Sequence, residues 1–240
     1  PLVCVRDADL WRYEILGKRP LNVNRTEIYI IETPEQTPVG ALGIPAELWG
    51  NVQGLSFIEL LPGVSYLEVM PAVLRWLWAI GQQHSTPAMR CTVLSLRLGA
   101  EHPAYVALDA HTAPRLRRYA YYTRVADIPA FLRLIRPVLE QRLAASPCAG
   151  HSGEMVITFY RSGVRIKLEK GRISAIEPHL AVWSDSTAGF PDLTFLQLLF
   201  QQHSLDEMRD HYADVFAAAD THALLNAMFP KSTASIWAFG

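Results

Sequence analysis

The densest apolar run in the chain is Phe190–Phe200, FPDLTFLQLLF, and its spacing is helical. Pro191 and Asp192 read as its opening, since an aspartate accepts from the free N–H groups of a first turn. Leu193, Leu196, Leu199 and Phe200 share one face, widened by Phe195 and Leu198. A helix this apolar has to be nearly surrounded. No strand pattern follows it until the last few residues, so its sheet must come from upstream, at 153–176. There Glu154–Tyr160, Gly163–Leu168 and Arg172–Glu177 read as strands separated by the turns YRSG and EKG. Val164, Ile166 and Leu168 fall on one face, Arg165, Lys167 and Glu169 on the other. The pattern predicts a half-exposed antiparallel meander with helices on its apolar face. Two of those helices follow Phe200. SLDEMRDHYADV opens with the capping box Ser204–Glu207. THALLNAMFP, capped by Thr221, buries Leu224, Leu225, Met228 and Phe229.

The upstream half alternates strand and helix signals. Residues 1–20 are ambiguous, with Asp7 as the cap of a short helix through Leu10, Trp11 and Ile15 that Gly17 stops. Arg25–Glu32 and Val39–Ile44 form a hairpin around TPEQTP. Ala46–Gly54 is either a strand edge or an irregular crossing, and Leu55–Leu61 is a further strand ending at Pro62-Gly63. Leu67, Met70, Leu74, Leu77, Trp78 and Gly81 keep a helical period, with the helix proper starting at Pro71. Arg90–Gly99 is strand-like, HPAYVALDA starts a short helix after Pro103, and Arg118–Val125 is another β-favouring run. This order indicates a mixed sheet with a crossover helix. Then comes the clearest long helix, ADIPAFLRLIRPVLEQRLAAS. Asp127 is its N-cap, Pro129 lies in the first turn, and Phe131, Leu132, Ile135, Leu139 and Leu143 form its apolar face. Pro137 implies a kink or a break. By composition SPCAGHSG, residues 146–153, marks a domain junction.

Composition narrows the function classes. The 240 residues are 50% apolar and 19% charged, with a formal charge of -1. That is a globular composition for one large domain or two ordinary ones. It lacks the basic footprint of a nucleic-acid binder. No apolar run reaches the roughly 18–20 residues of a membrane span. Cys4, Cys91 and Cys148 are distant from one another and form no CxxC, the pattern of a cytoplasmic protein with inert thiols. The eight histidines form no HxH or HExxH, so no metal site is expected. The opening PLVCVRDADLW, without methionine, reads as a processed or excised fragment at least as readily as a complete product.

Taken together, YTRVADIPAFLRLIRPVLEQRLAAS, FYRSGVRIKLEKGRI, FPDLTFLQLLF…SLDEMR and ALLNAMFP resemble the C-terminal part of bacterial GCN5-related N-acetyltransferases (the GNAT family) of the enhanced-intracellular-survival type. The resemblance spans about residue 25 to the C-terminus. It implies an α+β chain: a GNAT-like mixed sheet with crossover helix over 1–125, then an antiparallel sheet packed by helices over 126–240, similar to sterol carrier protein 2. It further implies a missing N-terminal catalytic domain, acetyl-CoA as cofactor of the full-length protein, a small-molecule or protein amine as substrate, and homo-oligomerisation. In a catalytic GNAT domain the loop after the fourth strand reads roughly Q/R-x-x-G-x-G/A and holds the pyrophosphate on its backbone N–H groups. The matching LLPGVSYLEVMP has Gly63 alone, no Arg or Gln before it, and Glu68 where a phosphate should lie. This departure makes 1–125 a non-catalytic central domain, with no cofactor bound by the chain itself.

The same resemblance singles out three candidate catalytic groups. Glu59 lies late in the fourth strand, where family glutamates act as general base, against the plainer reading of a solvent-facing carboxylate. Tyr105 follows the fifth strand, where family tyrosines protonate the leaving thiolate, against surface or core packing. The carboxylate of Gly240, anchored by Ile236, Trp237 and Phe239, would be the general base delivered to the catalytic domain; alternatively SIWAFG is a last edge strand of the small sheet. His102-Pro103 reads as a turn or cap, and Arg115–Arg118 as a solvated edge or interdomain contact. The alternatives in function are an acyl- or lipid-binding sterol-carrier-like module, its cavity lined by Phe195, Leu199, Met208, Leu225 and Met228, and a self-contained acetyltransferase. The plainer reading of the same five residues is a solid core.

Overall fold

A computed structural model describes residues 2–3, 5–99, 101–108, 114, 122–180, 182–191 and 193–235, with side chains from residue 5 to 233. They form a mixed α+β chain of two compact units, residues 3–114 with 234–235, and residues 122–233. No helix among the described residues is long and apolar enough to cross a membrane.

After the short strand β1 (Leu2–Val3), the first unit continues with α1 (Ala8–Arg12), which Asp7 caps by accepting the Leu10 N–H at 2.8 Å. A π-helical turn, Tyr13–Gly17, follows. It holds a buried Glu14–Lys18 ion pair at 2.9 Å, and Lys18 also donates to the Asn24 carbonyl. The hairpin forms as the sequence predicts, from β2 (Thr26–Glu32) and β3 (Pro38–Pro45) in antiparallel register.

The next strand departs from expectation. In place of one strand over Leu55–Leu61 there are two, β4 (Val52–Leu55) and β5 (Phe57–Leu60), broken at Ser56. β5 pairs antiparallel with β3, while β4 pairs parallel with β6 (Val93–Leu96). The chain changes partner at the break, so residues 46–54 include a paired strand. Between β5 and β6 runs α2 (Tyr66–Gln83), entered by a turn in which Gly63 takes φ +88°, a conformation that favours glycine. Pro71 lies inside this helix and does not start it. The proline removes the N–H that would meet the Leu67 carbonyl, yet burial of Met70, Val73, Leu77 and Gly81 along one stripe keeps the helix running upstream of it. Leu67 and Trp78, expected on that stripe, are exposed. Met70, Val73 and Leu77 pack with Leu42, Ile44, Leu55 and Ile58 into the core of the unit.

In the second unit, α3 (Ile128–Ala144) begins where the sequence places it, Asp127 accepting the Ala130 N–H at 2.8 Å, and it continues through Pro137 without a break. Residues 118–121 of the expected preceding strand lie outside the described residues, and 122–125 are not strand. SPCAGHSG lies inside this unit, linking α3 to the meander β7 (Gly153–Thr158), β8 (Gly163–Glu169) and β9 (Arg172–Pro178). Two short strands escaped the sequence reading: β10 (Ala188–Gly189), parallel to β7, and β11 (Phe216–Ala217), antiparallel to β10. The sheet order is β11-β10-β7-β8-β9.

The apolar run becomes only a six-residue helix, α4 (Thr194–Leu199), and Asp192 lies outside the described residues. It is surrounded as expected. Phe195 touches Phe159, Phe190 and Phe229, all buried with Leu196, Leu198 and Leu199. α5 (Leu205–His211) carries the predicted capping box. α6 (Ala219–Met228) starts earlier than predicted, so Thr221 is a buried residue of the helix and Ala218 occupies the cap position. The final strand, β12 (Ala234–Ser235), is not part of the five-stranded sheet.

β9 is an edge strand, and α3 lies along it. Glu140 accepts the Ile173 N–H at 3.0 Å and the Arg172 guanidinium at 3.0 Å, while Arg133 donates to the Ile176 carbonyl at 2.8 Å. The two side chains are seven residues apart, two helical turns on one face. They satisfy backbone groups of a strand edge that would otherwise be open to another chain.

Candidate functional site

The break at Ser56 makes a fork. The parallel pairing of β4 with β6 ends at Leu55↔Leu96, beyond which β5 follows β3. A fork between diverging strands leaves backbone N–H and C=O groups without ladder partners. Side chains from two further segments gather there, and one of them meets this need on the β6 side.

On the β5 side, Tyr66 from the first turn of α2 approaches the backbone of Leu60, and His102 approaches the backbone of Ile58. On the β6 side, Tyr105 lies in the 3-10 turn Pro103–Ala107. Its hydroxyl donates to the Leu96 carbonyl and accepts the Leu98 N–H, both at 3.3 Å. His102 also caps that turn, its Nδ1 accepting the Ala104 N–H at 3.1 Å, which leaves the neutral ring's proton on Nε2. The rings touch edge to face, Tyr66 to His102 at 5.4 Å between centroids and His102 to Tyr105 at 6.4 Å.

Glu59 is exposed on β5, and its charge reaches two of these rings. Burial raises the Tyr66 phenol above its ordinary value and Glu59 adds to that, against the opposing effect of the Leu60 backbone. Burial lowers the His102 imidazole, and this outweighs the opposite effects of the Glu59 charge and the Ile58 backbone.

The structure therefore brings two of the three candidate residues, Glu59 and Tyr105, to one place, and Gly240 lies outside the described residues. Chemically the cluster is largely committed. The Nδ1 of His102 and the hydroxyl proton of Tyr105 are used by backbone groups, and Glu59 is the exposed carboxylate. Sequence reasoning identified His102 as a cap but missed Tyr66, whose only signal is an aromatic residue in the first turn after Pro62-Gly63.

The loop from β5 leads into the N-terminus of α2. Ser65, at the N-cap, makes no side-chain cap bond, and Glu68 occupies the first turn. In the second unit, the five proposed lining residues, Phe195, Leu199, Met208, Leu225 and Met228, all belong to one buried apolar cluster. Two clefts of about 350 and 480 Å3 in that unit are lined by other residues. Among the described residues no group of three or more His, Cys, Asp or Glu is placed to hold a metal ion.

No family model matches this chain, and no curated protein matches it.

Proposed function

We propose that this chain is the non-catalytic C-terminal portion of an acetyl-CoA-dependent N-acetyltransferase acting on an amine acceptor. Its first unit is a GNAT-like domain without a working cofactor loop, and its second unit is the sterol-carrier-like domain. A separate catalytic domain binds acetyl-CoA. This chain shapes the acceptor site.

The observation that carries the reading is the occupied fork. Strands that diverge after a parallel pairing, with a helix between them, are the arrangement in which a linear amide-bearing carrier can lie against free strand edges. Here Tyr105 takes the Leu96 carbonyl and the Leu98 N–H itself, and Tyr66 and His102 crowd the Leu60 and Ile58 backbones opposite. The adjoining turn adds to this, with a single glycine and Glu68 in the first turn of α2. An acidic side chain suits a helix N-terminus but repels a pyrophosphate there.

Calorimetric titration of acetyl-CoA into the purified chain is expected to give no saturable binding. One-to-one binding would overturn the reading in favour of a self-contained acetyltransferase with Glu59 and Tyr105 as its acid–base pair. The reading frame upstream of the Pro1 codon is expected to encode a domain with the Q/R-x-x-G-x-G/A loop. A frame without one would equally overturn it.

A further inference from the structure

Away from the fork, three aromatic side chains of the second unit meet at one end of its sheet. Tyr160 lies in the turn between β7 and β8, Trp183 opens the 3-10 turn Trp183–Asp185, and Phe216 lies on β11. Ring centroids are 5.6 Å apart from Tyr160 to Trp183 and 4.1 Å from Trp183 to Phe216, with the planes tilted by 37° and 49°. Tyr160 is 45% exposed and Trp183 52%, so much of two aromatic side chains is open to solvent.

The backbone is arranged against its own preferences to hold them there. The Arg161 N–H donates to the Phe159 carbonyl at 2.8 Å across Tyr160, whose φ is +65°. A three-residue turn with positive φ at its centre is rare and strained, and a bulky residue in that position is an outlier. The Tyr160 hydroxyl donates to the Asp214 carbonyl at 3.2 Å, which fixes the ring. Beside Phe216, Gly189 supplies the room, since a Cβ there would overlap the ring. Strain that displays a half-exposed ring does little for a core, and strained positions of this kind cluster where ligands bind.

The charges around the rings indicate which ligand. Burial raises the Tyr160 phenol above its ordinary value, and the charge of the exposed Asp214 adds to it, so that carboxylate acts on the aromatic group. Asp185, also exposed, ends the turn that Trp183 opens and accepts from Ser184 Oγ at 3.0 Å. Among the described residues no lysine or arginine lies over any of the three rings. Aromatic faces are negative, and with carboxylates beside them they complement a cation. A methylated ammonium, whose charge lies under an apolar surface, suits such rings better than a strongly hydrated lysine head.

We propose that Tyr160, Trp183 and Phe216, with Asp214, form a binding site for a small quaternary ammonium compound, whose methylated head rests on the exposed Tyr160 and Trp183 rings. The site is separate from the fork and does not rest on the acetyltransferase reading.

The test is titration of choline into the purified chain, followed by NMR at the assigned Trp183 indole N–H. A saturable shift at millimolar choline is expected, the affinity that partly exposed rings allow. Dimethylbutanol, the uncharged carbon isostere of choline, is expected to bind at least about threefold more weakly. Trp183→Leu is expected to abolish choline binding, and Asp214→Asn to weaken it by about twofold or more. Tyr160→Gly removes the ring and relieves the turn, so it is expected to weaken binding with no fall in the urea midpoint. Phosphatidylcholine vesicles, which carry the same head group, are expected to leave the protein in the supernatant on sedimentation. Equal binding of choline and dimethylbutanol, or no shift at Trp183, would overturn the proposal. So would a Tyr160→Gly protein that loses stability and keeps choline, or cosedimentation with the vesicles, which would make the rings a membrane contact. The comparison of choline with its isostere is made on the unmodified chain and stands even if a variant fails to fold.

Discussion

Replacing Tyr105 with phenylalanine removes one oxygen and keeps the ring, which makes it the cleanest probe of the fork. The hydroxyl donates to the Leu96 carbonyl and accepts from the Leu98 N–H, each at 3.3 Å. A neutral hydrogen bond contributes about 0.5–1.5 kcal/mol net, and stranding a buried backbone group costs about 1–3 kcal/mol. Two long bonds at a half-buried site, where water can replace part of what is lost, place the expected destabilisation at about 1–2 kcal/mol. The first reading is hydrogen exchange at the Leu98 amide. If the tyrosine oxygen is its acceptor, exchange should accelerate by roughly tenfold, since about 1.4 kcal/mol corresponds to a factor of ten. Urea unfolding of the first unit should shift by the same free energy with an unchanged slope. Leu98 exchange equal to wild type, with stability unchanged, would refute the claim that this side chain closes the β6 side of the fork.

Three other outcomes are expected. Phe195→Ala should destabilise the second unit by about 3–5 kcal/mol in urea unfolding, because a fully buried ring surrounded by three others leaves a cavity that cannot collapse. The Lys231 hydrogen bond, followed by the Ser204 N–H bond, holds the Glu207 carboxyl down at about 2, with burial opposing and the Lys231 and His203 charges assisting. A depressed carboxylate stabilises the fold above its unfolded value. That contribution should be lost as pH falls from about 4.5 to about 2, and Lys231→Met should raise the Glu207 midpoint in a carboxyl NMR titration. For Glu140, burial raises the carboxyl, but the Arg172 and Ile173 hydrogen bonds and the Arg172 and Arg136 charges together bring it below its ordinary value. Glu140→Ala should therefore destabilise the unit above pH 4.5, lose that difference on acidification, and increase aggregation of the folded protein by light scattering.

Much of the local structure was legible because its signals are local. Asp127 and the Ser204–Glu207 box identify helix starts from neighbouring side chains alone, and the meander follows from alternation with glycine turns. What the sequence hid depends on distant partners. The break at Ser56 is a change of strand partner between β3 and β6, and nothing in Leu55–Leu61 encodes which neighbour each half will find. β10 and β11, two residues each, are too short to show a period. Pro71 looked like a helix start because a first-turn proline costs least, but the buried stripe centred on Met70 and Val73 outweighed that preference. In the candidate site, Glu59 and Tyr105 were singled out only by the resemblance, one by its place late in a strand and the other by its place after one. Tyr66 could not, because its importance comes from where β5 turns away.

The position of α3 relative to the meander has a consequence for synthesis. Ribosomes release the chain from its N-terminus, so Arg133 and Glu140 leave the exit tunnel before any residue of β9. When Arg172–Pro178 emerges as the last strand of the meander, the two side chains that occupy its outer edge are already waiting on a formed or forming helix. An exposed strand margin on a nascent chain is a hazard because neighbouring polysomes hold many identical copies at close range. This protein shortens that interval by having the guard translated first. A permuted chain with α3 placed after β9 would hold the same contacts when folded and yet leave the margin bare during its own production.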